Sequence, residues 1–163
     1  ISKISWGGCK GMVEVEKRSA KQTGMAGELF TAFELAMLDV QCDLVKHDGT
    51  DVVAIKGPKV FMSQKIEVKT CTYKNEKNLY CFSISKGGQK SRYTKSDCDI
   101  LALVSLPQRN IMFYSVGSLS GITKKIHFNT FKNDRDLIKK SWDIALKNSL
   151  DESKKMLENY SIE

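Results

Sequence analysis

No stretch of the chain comes near the roughly 18 consecutive apolar residues that a membrane-spanning helix needs. Paired cysteines are missing as well. The five cysteines (Cys9, Cys42, Cys71, Cys81 and Cys98) are odd in number, widely scattered and free of any C-x-x-C pair. That pattern speaks against a disulfide framework and a zinc knuckle, and for reduced thiols in a cytoplasmic, intracellular setting. Histidine is scarce: His47 and His127 stand alone, so a metal bound here would take oxygen ligands. The first residues, from Ile1 onward, lack the basic-then-apolar order of a signal peptide. Internal repeats and low-complexity segments are also absent.

What is present suits one domain with a real core: 163 residues, 41% of them hydrophobic. The formal net charge of +7 is unevenly spread. From Lys56 to Lys95 there are ten Lys and Arg residues against two acids, while the flanking stretches are close to balance. A basic segment of this kind is the electrostatic footprint of a polyanion partner, although a lysine-rich solvated surface gives the same count.

Residues 1–22 are rich in glycine and charge, and read as an N-terminal arm. From Gly24, Ala26, Leu29, Phe30, Phe33, Ala36, Met37 and Val40 recur at three- and four-residue steps, which predicts an amphipathic helix with Thr23 as its N-cap. Strand-like runs follow at Asp51–Ile55, Val60–Cys71, Leu79–Ile84, Asp99–Leu106 and Ile111–Val116. Gly57-Pro58 joins the first two as a hairpin, and "PQRN" joins the last two. "SKGGQKSRYTKSD" between them reads as a basic loop. Beyond "GSLSG", Ile138, Trp142, Ala145, Leu146, Leu150 and Leu157 keep helical spacing from about Asp134. The order predicts an α/β or α+β domain: a central mixed β-sheet flanked by helices, with a C-terminal helical extension over 121–163 packing on the core or at a dimer interface.

Three charged residues interrupt the apolar strand pattern. In "IEVK", Glu67 and Lys69 share one face of a strand, because alternate side chains point the same way. A hairpin at Gly57-Pro58 brings Asp51 beside them. Two close carboxylates repel unless a cation lies between them, and Mg²⁺ suits two carboxylates plus water and phosphate oxygens. Lys69 would stabilise developing charge or help to position and deprotonate a water. Glu28, in the first turn of the helix, is a third carboxylate within reach. Lys86, Lys90, Arg92 and Lys95 offer phosphate contacts from the loop, with Tyr93 among them to pack, stack on sugar or bond a phosphate. Asp99 either caps a turn or takes part in function.

Taken together, Glu28 on a "GE" helix, Asp51 in "GTDVVA", Glu67 and Lys69 in "IEVK", and the later "RYTKSDCDILALV" resemble the PD-(D/E)XK nuclease superfamily. The nearest flavours are archaeal Holliday-junction resolvases and intron-encoded homing endonucleases. The likeness runs from Gly24 to Val116, within a nuclease core of 23–120. Thr50 stands where such motifs usually carry proline. The resemblance implies a restriction-endonuclease-like core and a catalytic set of Glu28, Asp51, Glu67 and Lys69. It also implies metal ligation by Asp51, Glu67, Val68 and Glu28, Mg²⁺ as cofactor with Mn²⁺ substituting, double-stranded or branched DNA as partner, and a homodimer away from membranes. The expected activity is Mg²⁺-dependent hydrolysis of DNA phosphodiesters. The alternatives are a nucleic-acid-binding protein with this fold and no turnover, and an unrelated α/β domain whose charges are surface decoration.

Overall fold

The structure is a computed structural model that describes residues 19–47, 49–58, 62–72, 75–87 and 91–160. The proposed arm, apart from residues 19–22, and Lys90 therefore lie outside the described residues.

In chain order the elements are α1 (Ala20–Met37), β1 (Gln41–His47), β2 (Thr50–Lys56), β3 (Gln64–Cys71), β4 (Leu79–Ser83), β5 (Ser85–Lys86), β6 (Ser91–Arg92), β7 (Ile100–Ser105), β8 (Asn110–Ser115), β9 (Thr123–His127) and α2 (Arg135–Tyr160). Five strands form one mixed sheet in the order β1-β2-β3-β7-β8. β3 and β7 run parallel, and the other neighbours are antiparallel. β4 pairs with β9 in a separate two-stranded ribbon, and β5 pairs with β6 inside the basic loop. The expected central mixed sheet flanked by helices is thus the observed architecture. Two strands, β1 and β9, were not legible in the sequence; β3 runs from Gln64, and Val60 and Phe61 of the expected run lie outside the described residues. The "SKGGQKSRYTKSD" loop contains a short ladder, Ser85 with Arg92 and Lys86 with Ser91.

Both faces of the sheet are covered. Val52, Ile66, Val68, Ala102 and Val104 pack with Leu35 of α1 and with Trp142 and Leu146 of α2. Leu101 and Leu103, on the opposite face of β7, pack under Tyr80, Phe82 and Ile126 of the ribbon and Phe131. β7 is therefore buried along its whole length, as its unbroken apolar sequence demands.

α1 corrects two expectations. It starts at Ala20, and its cap is Ser19, not Thr23: the Ser19 hydroxyl accepts from the Gln22 amide, and the Gln22 side chain accepts from the Ser19 amide. This reciprocal capping box leaves Thr23 and Gly24 inside the helix. The inward face also differs from the one periodicity suggests. Leu29, Phe33 and Met37 are each 53% exposed, and the buried residues are Gly27, Thr31, Glu34 and Leu35. Gly27 lets the helix sit close on β3, which turns this face inward with Leu35 in the core.

α2 is one helix, and Asp134 caps it by accepting the amides of Asp136 and Leu137. Ile138, Trp142, Ala145 and Leu146 are buried as expected, whereas Leu157 is exposed. α2 packs on β8, where the Ser141 hydroxyl accepts the Phe113 amide of that edge strand. Its start is tied to α1 by an ion pair between Arg135 and Glu34, a carboxylate only 2% exposed. Removing the cation would strand a buried charge, at several kcal/mol for a fully enclosed pair. Because Arg135 is about half exposed, we expect Arg135→Ala to cost about 2 kcal/mol, a fall of roughly 4–8 °C in melting temperature. A thermal melt unchanged by the substitution would show that Glu34 does not depend on this partner.

Candidate active site at the fork of two strands

β2 and β3 pair through Val52–Ile66, Val53–Lys65 and Ala54–Gln64. Val52 and Ile66 point toward the helices and are fully buried. The pleat therefore turns Asp51, Glu67 and Lys69 to the other face, all three together. At Asp51 the ladder opens. The Val68 amide donates to Asp51 Oδ2 at 2.8 Å, a side-chain bond in place of the next rung. Along a strand a residue's carbonyl points to the same side as its amide, so the Val68 carbonyl faces the same gap.

Beside Asp51 lies a closed triangle. Lys69 Nζ donates to Glu67 Oε1 at 2.6 Å and to Tyr93 Oη at 2.8 Å, while Tyr93 Oη donates to the same Glu67 oxygen at 2.7 Å. Lys69 Nζ also lies 4.9 Å from the Tyr93 ring centroid. Glu67 is 7% exposed and Tyr93 8%. Both bonds go to Oε1, leaving the second oxygen of Glu67 for another partner.

The electrostatics follow from this crowding. Burial raises the Asp51 carboxyl, the Val68 amide lowers it, and the Glu67 and Glu28 charges raise it again; the result is pushed up to about 6. Burial pulls Lys69 down, but its bonds to Glu67 and Tyr93 outweigh that, and the amine ends above its ordinary range. Burial, partly offset by Lys69 and reinforced by Glu67, pushes the Tyr93 phenol up to about 12. The cluster at neutral pH thus holds an ammonium, a neutral phenol and a carboxylate short of positive charge.

Glu28 acts on Asp51 through its charge. Among the described residues, no three His, Cys, Asp or Glu side chains gather closely enough to hold a metal by themselves. The donors at the fork are two carboxylates and one backbone carbonyl. All are hard oxygens, a set that fits Mg²⁺ completed by water and a phosphate.

The nucleic-acid residues expected from the loop divide. Tyr93 belongs to the buried triangle rather than to an open loop surface. A turn fixes it there: the Thr94 amide and hydroxyl donate to Asp97 Oδ2 at 2.8 and 2.7 Å, and Thr50 Oγ1 donates to the Asp97 carbonyl at 3.3 Å. Lys86 pairs with Asp97 Oδ1 at 2.5 Å and stays partly exposed. Arg92 donates to the Leu119 carbonyl. Lys95 is directed inward, 2.9 Å from Asp99 Oδ1 and bonded to the Ser149 carbonyl of α2. Asp99 Oδ2 accepts the Lys65 amide at 2.7 Å, so this residue caps the entry to β3 and stands apart from the acid cluster. Lys124 and Lys125 carry no sequence signal of their own because β9 has none, and His127 reads in the sequence only as an isolated histidine.

A mixed five-stranded sheet with two helices on one face and a two-stranded ribbon on the other defines an α+β domain. No family model matches the chain, and no curated protein does. Among solved structures it is similar to a bacterial homing endonuclease, I-Ssp6803I, with a TM-score of 0.58 and 14% sequence identity, covering 84% of this chain and 98% of that one. At that identity the similarity is one of fold. No helix among the described residues is long and apolar enough to cross a membrane.

Proposed function

We propose that this chain is a metal-dependent DNA endonuclease of the PD-(D/E)XK type, nearer to homing enzymes than to junction resolvases. The observation that carries the reading is the convergence of Asp51, Glu67 and Lys69 on one sheet face, with the Asp51 carboxyl pushed up to about 6 beside further negative charge. A purely structural pair of acids would be expected to recruit a cation from the chain for each. Here Lys69 bonds Glu67 and reaches Asp51 only through its charge, while among the described residues the hydrogen bond to the Asp51 carboxylate comes from the Val68 amide. The fold shared with a homing endonuclease favours DNA as the polyanion.

Asp51, Glu67 and the Val68 carbonyl would hold the ion, and Glu28 would reach it through water. When bound, Mg²⁺ or Mn²⁺ supplies a water of lowered pKa and neutralises charge on the phosphate. Lys69 remains protonated and offers its charge to the phosphoryl oxygens as they become more negative. Tyr93 fixes the Glu67 rotamer by occupying one of its oxygens. Cutting both strands of a duplex calls for two such sites, so the working species is read as a homodimer.

Supercoiled plasmid and a four-way junction incubated with the protein test the reading. Nicking or linearisation with Mg²⁺ or Mn²⁺, and none with EDTA, is the expected result. DNA retardation without cutting in either metal would make the chain a binding protein that only shares the fold.

A further inference from the structure

The β4–β9 ribbon stands on the same sheet face as the acids. Its inner side chains, Tyr80, Phe82 and Ile126, are buried with Leu101, Leu103 and Tyr93. Phe131 braces them edge-on, at 5.8 Å from Tyr80 and 5.9 Å from Phe82 between ring centroids. The ribbon is therefore firmly seated, and its other face points away from the sheet.

That outer face has a distinctive chemistry. Cys81 pairs with Lys125 and Ser83 with Thr123 across the ribbon, and these four residues and His127 are all exposed. Neither strand contains an acid. His127 Nδ1 accepts the Asn129 amide at 3.1 Å. In the neutral ring, then, the proton resides on Nε2, which becomes an outward donor. On this face the Lys125 ammonium and the His127 N–H are donors, and the Ser83 and Thr123 hydroxyls donate or accept, beside the Cys81 thiol and the half-buried Leu79.

We propose that this face lies in the major groove of duplex DNA and reads base edges there, making the ribbon the specificity element of the enzyme. The inference rests on the DNA-endonuclease reading above. Five residues per strand span about 17 Å, and the groove, about 12 Å wide, admits a two-stranded ribbon. Donors select acceptors, and the densest acceptors in that groove are guanine N7 and O6, which lysine bridges well. Lys124 plays another part: its ammonium lies 5.0 Å from the Tyr114 ring centroid, beside the ribbon's buried face.

Selection of bound duplexes from a randomised library, carried out in EDTA so that cutting is not required, tests the proposal. The wild-type protein is expected to enrich a short guanine-containing purine motif. Lys125→Ala and His127→Ala should each bind that motif about 5- to 100-fold more weakly and lose preference at one or two base positions. Melting temperatures should stay nearly unchanged, since both residues are exposed. Asp51→Asn should retain the motif. The ribbon assignment is overturned if both variants select the wild-type motif. It is equally overturned if they weaken all sequences uniformly with a salt slope smaller by about 1, the mark of a phosphate contact. Wild-type protein that binds and cuts without any base preference sinks the ribbon and leaves the nuclease standing. Failure to bind or cut any DNA sinks both.

Discussion

Asp51→Asn should abolish metal-dependent cleavage, lowering the rate at least about 1,000-fold, and should at the same time make the metal-free protein more stable at neutral pH. The first effect follows from losing an anionic ligand: a metal's stabilisation of the transition state is worth several kcal/mol, and about 4 kcal/mol is three powers of ten. The second follows from linkage. Asp51 holds its proton up to about pH 6 when folded, against its ordinary value of 3.8. The folded state therefore binds more protons between those limits, and stability falls as pH rises through them. Whatever this group contributes is fully present below about pH 4 and has been lost above about pH 6. The amide of asparagine still accepts from the Val68 amide but carries no charge, so the loss disappears. Thermal melts of both proteins should nearly coincide at about pH 4 and diverge clearly at about pH 7.5, with the variant melting higher there. Mg²⁺ should raise the melting temperature of wild type at pH 7.5 and do little for the variant. Melting curves that shift in parallel with pH would mean that Asp51 is not electrostatically strained, and cutting above a tenth of the wild-type rate would remove it from the site.

Lys69 has a narrower role in this geometry than the motif alone allows. A lysine acting as general base needs an amine lowered toward neutral pH. Here the bonds to Glu67 and Tyr93 hold it above its usual range despite burial. The side chain is therefore read as a fixed positive charge, and a metal held by Asp51 and Glu67 would supply the water of lowered pKa.

The site was legible because it obeys two short-range rules, strand alternation and hairpin register. Glu67 and Lys69 are two residues apart on one strand, and Asp51 needs only the turn at Gly57-Pro58 to join them. Tyr93 was visible as a residue but not as a member of the triangle, since 26 residues separate it from Glu67 and the contact depends on the Thr94–Asp97 turn. β9 was illegible for a different reason. "TKKIH" buries one side chain, Ile126, and its pairing with β4 spans some forty residues, so no local pattern announces it. α1 misled because it is apolar nearly all round, and periodicity cannot choose a face when Leu29 and Leu35 are equally hydrophobic. The choice is made by Gly27, through a contact with a residue on another element.

That contact supports the other large expected effect. A methyl group at Gly27 would lie 1.8 Å from Thr70 Oγ1 and 3.0 Å from Thr70 Cβ. Rotating the Thr70 side chain moves its hydroxyl but not its Cβ, so α1 must lift from β3. Helix preference alone favours alanine over glycine by about 1 kcal/mol. Overpacking of a tight site costs about 1–3 kcal/mol, and an approach this close belongs at or above the upper end. Gly27→Ala should therefore destabilise by about 2 kcal/mol, roughly 4–8 °C in melting temperature. Because β3 carries Glu67, Val68 and Lys69, and Glu28 follows Gly27 directly, a shift of about 1 Å here should also slow cleavage by up to about 100-fold. Thr70 offers the control. Its hydroxyl is buried without a hydrogen-bond partner among the described residues, so Thr70→Ala by itself should cost little. In that background the contacts to the Thr70 hydroxyl and methyl are gone and only the 3.0 Å approach to Cβ remains, so adding Gly27→Ala should cost clearly less than it does in wild type, with part of the activity restored. A Gly27→Ala protein that melts at or above wild type, or a double variant no better than Gly27→Ala alone, would show that α1 does not rest on β3 at this point.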